Sequence, residues 1–523
     1  MIREKYSLDG AWDFLFDPDG ELTVATLDQD AANTHEWRTT TVPGPWQADF
    51  DDLRDTPGIA WYRRSFDLPN SESRQQQAFV LHFGAVDYYA EVWFNGTHLG
   101  DHEGGFLPFE FDVTGLLRES NMLVVRVTDP SDNPKKYPNF PFSEIPHGKQ
   151  SWYGQTSGLW QPVWLERRAR WHIRALRLSP DLSTGRVRAE LTIAGPVDEA
   201  SVLKVTVKAP DGAVAADQQQ PLAAGTTSAD LNLLIESPLP WSPDTPHLYC
   251  CEASLQRDGQ PLDTVAVSFG FRSIETRNGH LYLNGKRFYM RGVLDQDYYP
   301  ATIYTPPSVE YLEDQFRKAK KMGLNTIRFH IKVADPRYLE VADRLGLLIW
   351  AEFPNFAYLS DKAAARAKAT LAGMVERDWN HPSIAIWTII NEDWGTNLVE
   401  NERHRAWLKE MYHWLTELDP TRLVVDNSPN RLSFHVETDI ADYHFYQAHP
   451  DGRSKWDNFI ERYAARDRDL LYSPNGDAVI RGDEPLIVSE FGVWGLPNID
   501  DLLDEDGREP FWICLLYTSP SPR

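Results

Sequence analysis

The chain has 523 residues, 42% of them apolar, with 52 basic against 77 acidic side chains for a net charge of −25. That length supports about three or four domains with sizeable cores. The acidic balance argues against nucleic acid or an anionic membrane as partner, and no apolar run approaches membrane-spanning length. Residues 1–170 contain many short apolar or alternating stretches, among them Phe79-Val-Leu-His-Phe, Ala90-Glu-Val-Trp-Phe and Leu123-Val-Val-Arg-Val. Asn95-Gly96 is a hairpin signal, since both residues tolerate positive φ, and the region reads as a β-sandwich. Residues 171–272 continue as strands, including Arg188-Ala-Glu-Leu-Thr-Ile and Thr264-Val-Ala-Val-Ser-Phe. About seven strands in such a length fit an immunoglobulin-like sandwich, with Gln218-Gln-Gln-Pro-Leu-Ala-Ala-Gly as an exposed loop.

From 273 the period changes. Val309, Leu312, Phe316, Ala319 and Met322 recur at helical spacing, with Gly323 as a stop. Further helices are predicted over 336–345, 361–379, 400–418 and 454–465. Between them, strands are expected to end near Arg291, Arg328, Glu352, Asn391, Asp426, Tyr446 and Glu490. Seven of the eight strands of a (β/α)8 barrel are thereby accounted for, over residues 273–513. The last ten residues, 514–523, read like no element of such a fold. They resemble a translated sequencing adapter, so the chain is expected to be cut short, as a metagenomic fragment is.

Two glutamates stand out. Ser383-Ile-Ala-Ile-Trp-Thr-Ile-Ile-Asn391-Glu392 and Pro485-Leu-Ile-Val-Ser-Glu490-Phe-Gly each carry one at the end of an apolar run suited to a strand buried on both faces. The C-terminal rim of a barrel is its catalytic face, and two carboxylates there suit cleavage of a glycosidic bond. The stretch from Asp378 to Glu392 resembles the acid/base signature of glycoside hydrolase family 2, and Ser489-Glu490-Phe-Gly resembles its nucleophile motif. Leu8-Asp-Gly-Ala-Trp12, Val42-Pro-Gly-Pro-Trp46, Val92-Trp-Phe-Asn95-Gly96 and Gly148-Lys-Gln-Ser-Trp152 are similar to its sugar-binding jelly-roll domain. The match runs along nearly the whole chain in the family's order.

The resemblance implies a retaining mechanism, with Glu392 as acid/base and Glu490 as nucleophile. Such a site needs its pKa values split, Glu392 raised and Glu490 kept ionised. It implies that Asn391 binds the sugar 2-hydroxyl, that Arg328 keeps Glu490 charged and that Tyr446 touches the nucleophile. Strand alternation puts Arg328, His330 and Lys332 on one side, so the last two are either solvated rim or a basic pocket for an acidic sugar. Asp297 meets sugar hydroxyls or caps the rim. Trp394 and Trp494, just beyond the two glutamates, are candidates for stacking on sugar faces. Lys149, Gln150 and Trp152 lie in a loop that in the family reaches over the barrel. Where metal-using relatives carry a Glu-x-His, this chain reads Phe356-Ala-Tyr358, so no metal or other cofactor is expected.

The resemblance thus implies a β-galactosidase-type exo-β-glycosidase acting on an oligosaccharide or glycoside. Alternatives are a β-glucuronidase or β-galacturonidase, a β-mannosidase, or a truncated, inactive carbohydrate-binding protein. Three cysteines make no disulfide framework and Met1-Ile-Arg-Glu-Lys-Tyr has no apolar signal core, so a cytoplasmic location is expected. A homo-oligomer stays open.

Overall fold

A computed structural model describes residues 3–28, 36–68, 77–152, 156–195, 197, 199–296, 298–446 and 453–491. The first domain is two antiparallel sheets face to face. One has six strands, in the order Arg38–Val42, Gly10–Phe16, Gly58–Asp67, Ser120–Asp129, Tyr89–Phe94 and Thr97–Glu103. The other has four, Glu4–Ser7, Val163–Ala169, Gln77–Phe83 and Phe109–Asp112. Alternate residues point into the space between the sheets, where Trp12, Phe14, Trp46, Tyr62, Leu81 and Val92 are buried together. The Asn95-Gly96 turn, with φ of 50° and 81°, closes the hairpin between the two strands that follow Tyr89.

The second sandwich sets three strands (Ile173–Asp181, Arg186–Ile193, Ser228–Leu234) against four (Val214–Leu222, Ser201–Lys208, Tyr249–Arg257, Gln260–Phe269). The stretch beginning at Gln218 is not a loop: it lies largely within Val214–Leu222, where Gln218 pairs with Val205. It is an edge strand, which explains both its polar sequence and its tolerance of Pro221.

The barrel strands are β1 (Gly292–Asp295), β2 (Thr326–Phe329), β3 (Leu348–Glu352), β4 (Ile384–Asn391), β5 (Leu423–Ser428), β6 (Ala441–His444) and β7 (Leu486–Glu490). The first five pair in parallel in chain order, and β6 pairs in parallel with β7. The alternating helices are α1 (Val309–Lys321), α2 (Pro336–Leu345), α3 (Asp361–Asp378), α4 (Glu402–Leu418) and α5 (Arg453–Ala464). Ser308 and Ser360 cap α1 and α3 by accepting from the amides of Tyr311 and Ala363. Gly346 ends α2 at φ 75°, where a Cβ would come within 2.5 Å of the Pro243 carbonyl oxygen. All eight residues of β4 are buried, as expected for a parallel strand covered on both faces. β1 starts one residue beyond its expected end, and β6 stops two residues before Tyr446. Residues 492–523, with the adapter-like tail, lie outside the described residues, as do Asp297 and Trp494.

The sandwiches are tied to the barrel. Trp160 stacks on Tyr304 at 4.2 Å, and the Trp379 indole donates to the Leu178 carbonyl at 2.8 Å. Four main-chain hydrogen bonds among the described residues bring the 131–152 segment of the first domain over the barrel mouth. They run from the His147 amide to the Asn355 carbonyl (2.8 Å), from Lys149 to Ile331 (3.0 Å), and from Ala357 (3.0 Å) and Tyr358 (2.7 Å) to Ser143.

Candidate active site

The strand ends converge on one cluster. After β4 the chain turns sharply, with Glu392 and Asp393 in the left-handed region at φ 50° and 63°. That conformation costs about 1–3 kcal/mol for a residue with a Cβ and persists where surrounding contacts over-determine it. Here the Glu392 amide donates to the Ser428 carbonyl and the Trp394 amide to the Asn391 carbonyl, both at 2.9 Å. Glu490 ends β7 and is buried. Oxygen atoms of Glu392 and Glu490 and a ring nitrogen of His444 all lie within 4.8 Å of one another.

Arg328, 3% exposed, is the hub. Its Nη1 donates to Glu490 Oε1 at 2.7 Å, its Nη2 to Asn391 Oδ1 at 2.8 Å and to Ser428 Oγ at 3.1 Å, and its Nε to Glu352. Burial alone would lower its pKa, but the charges of Glu352, Glu490 and Asp442 raise it. Asn391 is held from behind as well, its amide donating to Asn355 Oδ1 at 2.9 Å. The Tyr446 hydroxyl donates to Glu490 Oε2, and burial together with that carboxylate raises the phenol's pKa.

His444 sits between the two glutamates. Its Nδ1 is 2.7 Å from Glu392 Oε1, and its Nε2 is 2.8 Å from Ser428 Oγ and 3.3 Å from Glu490 Oε1. A donor faces the ring as well, since Arg328 Nη1 lies 3.3 Å from Nε2. Burial pushes Glu392 upward, but the hydrogen bond and charge of His444 outweigh it and bring the carboxyl down to about 2. Glu490 is likewise lowered: burial opposes, while His444, Arg328 and His330 prevail. The expectation that Glu392 would be raised therefore does not hold in this structure, because an imidazole stands beside it. Among the described residues, Glu392, His444 and Glu490 also form the group of donors close enough to share a metal ion.

His330 and Lys332 part company. His330 Nδ1 lies 3.0 Å from Glu352 Oε2 and 3.6 Å from Glu490 Oε1, and burial, with the charge of Arg328, takes its pKa well below the usual value. Lys332 is turned into the protein, its fully buried Nζ 3.2 Å from Asp295 and 5.0 and 4.7 Å from the ring centres of Phe329 and Tyr338. The expected alternation fails because β2 ends at Phe329 and Ile331 adopts φ 48°. Trp394 is half-buried, with Lys149 Nζ 5.2 Å above its ring.

Sequence reasoning missed His444, although it lies two residues before Tyr446 and period-two alternation would have placed both on one face. It also passed over Glu352, recognised only as a strand end, and the Ser428–Asp442 pair beneath His444.

The family description "Glycosyl hydrolases family 2" matches residues 171–272, its TIM barrel domain matches 274–494, and its galactose-binding domain-like region matches 56–158. The chain belongs to glycosyl hydrolase family 2. Within that family it is 28% identical over 466 residues to a β-galactosidase of Alteromonas mediterranea, covering 80% of this chain and 42% of that protein. It is 28% identical over 431 residues to a β-glucuronidase of Paenibacillus borealis, covering 75% of this chain and 68% of that one. The chain spans about half the length of the first curated relatives it matches. The crystal structure of a Bacteroides uniformis β-glucuronidase superposes with a TM-score of 0.75 over 94% of this chain and 59% of that one, at 22% identity, and shares its fold.

Proposed function

We propose that this family 2 chain is a retaining exo-β-glycosidase of β-galactosidase type. The observation that carries this reading is the pair of carboxylates on opposite strand ends with oxygens within 4.8 Å. Retaining enzymes hold their carboxyl groups about 5–5.5 Å apart, whereas inverting ones leave room for a water at about 6.5–9.5 Å.

Glu490 attacks the anomeric carbon. Arg328 and Tyr446 each bond one of its oxygens, which keeps it ionised and fixes its direction of approach. Asn391, held by Arg328 and Asn355, meets the sugar 2-hydroxyl, a contact that strengthens as positive charge builds on the ring. Glu392 delivers a proton to the leaving oxygen and later takes one from water. His444 Nδ1, 2.7 Å from Glu392 Oε1, positions that carboxyl. Substrate binding removes water and strengthens the burial that already opposes ionisation of Glu392.

The placement of Lys332 supports a neutral sugar over a uronic acid, since the cation that motivated a uronidase is paired with Asp295. Nitrophenyl β-galactoside, β-glucuronide, β-galacturonide and β-mannoside, offered to the full chain with the product anomer read by NMR, test this. Fastest cleavage of the galactoside with a β product first is the expected result. A faster uronide or mannoside overturns the sugar, an α product overturns the mechanism, and failure with every sugar leaves the chain a carbohydrate-binding protein.

A further inference from the structure

The second sandwich meets the barrel at the end opposite the glutamates, beside the residues that precede β4 and β5. A cavity of about 40 Å³ lies there, lined by Arg272, Trp379, His381 and Arg422 among others, with Leu178 from the sandwich. Roughly 10–15 Å³ of such space holds one water, so this volume takes a few waters or one small ion. Its walls are set in advance. Asn380 Oδ1 accepts from the Leu178 amide and Asn380 Nδ2 donates to the Leu176 carbonyl, both at 2.9 Å. At Gly270 a Cβ would lie 3.0 Å from Pro382, so sandwich and barrel are in close contact.

Charge around the cavity does not balance. Arg272, at the join between the two domains, donates to the main-chain carbonyls of Pro382 (2.9 Å), Thr421 (2.8 Å) and Ile384. These acceptors satisfy its N–H groups without neutralising it, and among the described residues no carboxylate pairs with it. Burial, and after it the charge of Arg422, brings the Arg272 pKa down to about 9, as befits a cation short of counter-charge. Arg422 donates to Asp419 at 3.1 Å and to the Trp379 and His381 carbonyls at 2.7 and 2.9 Å. Its buried Nε has no hydrogen-bond partner among the described residues. His381 Nδ1 lies 2.6 Å from Asp343 Oδ2, while Nε2 has no partner among the described residues. Burial would lower the His381 pKa, but Asp343 outweighs it and raises the value, which favours the charged ring. Three cations, Arg272, Arg422 and protonated His381, then share two carboxylates, Asp419 and Asp343. The next cations out are already matched, Arg377 with Asp378 at 2.6 Å and Arg177 with Glu190 at 4.0 Å.

We infer that this cavity binds a small monovalent anion of halide size, which pins the second sandwich to the floor of the barrel. A desolvated cation without a counter-charge is costly, and one anion beside Arg272 and His381 offsets that cost. The chain as a whole carries −25 and repels anions, so the attraction is local to this cluster. The occupant would touch both domains at once, through Arg272 at the join and His381 and Arg422 on the barrel. Its effect is therefore on the docking of the domains, at the far end of β4 and β5 from the glycosidic chemistry.

The test follows the thermal midpoint of the full chain as sodium gluconate is exchanged for sodium chloride at constant ionic strength. Chloride is expected to raise the midpoint by about 2–4 °C and to saturate. Arg272→Gln should abolish that increment, whatever it does to the midpoint itself. His381→Gln keeps a donor but removes the charge; it should at least halve the increment, and it serves if Arg272→Gln fails to fold. In crystals of the full chain soaked in bromide, an anomalous peak is expected between Arg272 and His381. Equal midpoints in chloride and gluconate overturn the inference. So does an increment that the variants retain in full, since the anion would then act elsewhere, and so does a bromide map with no peak in this cavity.

Discussion

Arg328→Met removes one cation and strands two buried carboxylates, Glu352 and Glu490, along with Asn391 Oδ1. Breaking a buried ion pair from one side costs about 3–5 kcal/mol, because the remaining charge stays desolvated. In a barrel of this size that is a fall of roughly 6–20 °C in the calorimetric midpoint. The effect carries a pH signature. Glu490 is held below the ordinary carboxylate range, so its pairing stabilises the fold fully above the unfolded pKa of about 4.3 and is lost as pH falls through the lower folded value. Without Arg328, burial faces only His444, His330 and the Tyr446 hydroxyl, and the folded pKa rises. Once it passes the unfolded value the sign reverses, and protonation relieves the variant as pH falls. The deficit should therefore be larger at about pH 8 than at about pH 5, and the acid limb of kcat/KM should move to higher pH. An equal deficit at both pH values, with an unmoved acid limb, would show that Arg328 acts by packing and not by charge.

Glu490→Ala should abolish turnover, and added azide should restore part of it with a product of inverted anomeric configuration. A β-azide from Glu392→Ala is expected in turn, and the opposite pairing by NMR would exchange the two roles. His444→Phe should lower kcat/KM for alkyl glycosides more than for dinitrophenyl glycosides, whose leaving group needs no proton; equal losses on both would make His444 a structural residue. Lys332→Met should lower the thermal midpoint without changing sugar preference, since Lys332 pairs with Asp295 beneath Phe329 and Tyr338, and a selective loss on uronides would return it to the pocket. Dialysis against EDTA should leave the rate intact; loss restored by magnesium would point to a metal at Glu392, His444 and Glu490.

What could be read from the chain followed from how much each element depends on its own residues. β4 and β7 were legible because near-continuous apolar runs can satisfy both faces of a parallel strand, and each displays its glutamate at the end. The helices were legible from spacing and stops, as α2 with Gly346 shows. His444 escaped because β6 has only four residues, too few for a clear alternation. Lys332 was misplaced because a left-handed turn at Ile331 interrupts the period, and a β-branched residue gives no warning of positive φ. The lowered pKa of Glu392 depends on an imidazole from another strand, 52 residues away, which no local pattern announces.

The segment that crosses the barrel mouth is fastened by main-chain atoms at His147, Lys149 and Ser143. Fastenings of that kind do not depend on which side chains the segment carries. Substitutions along it can therefore alter what meets the incoming molecule while its path stays constant. The first domain thus acts as an exchangeable jaw against an anvil of strand ends. Hybrids that swap this segment between relatives should keep the reaction and change what is accepted beyond the scissile bond.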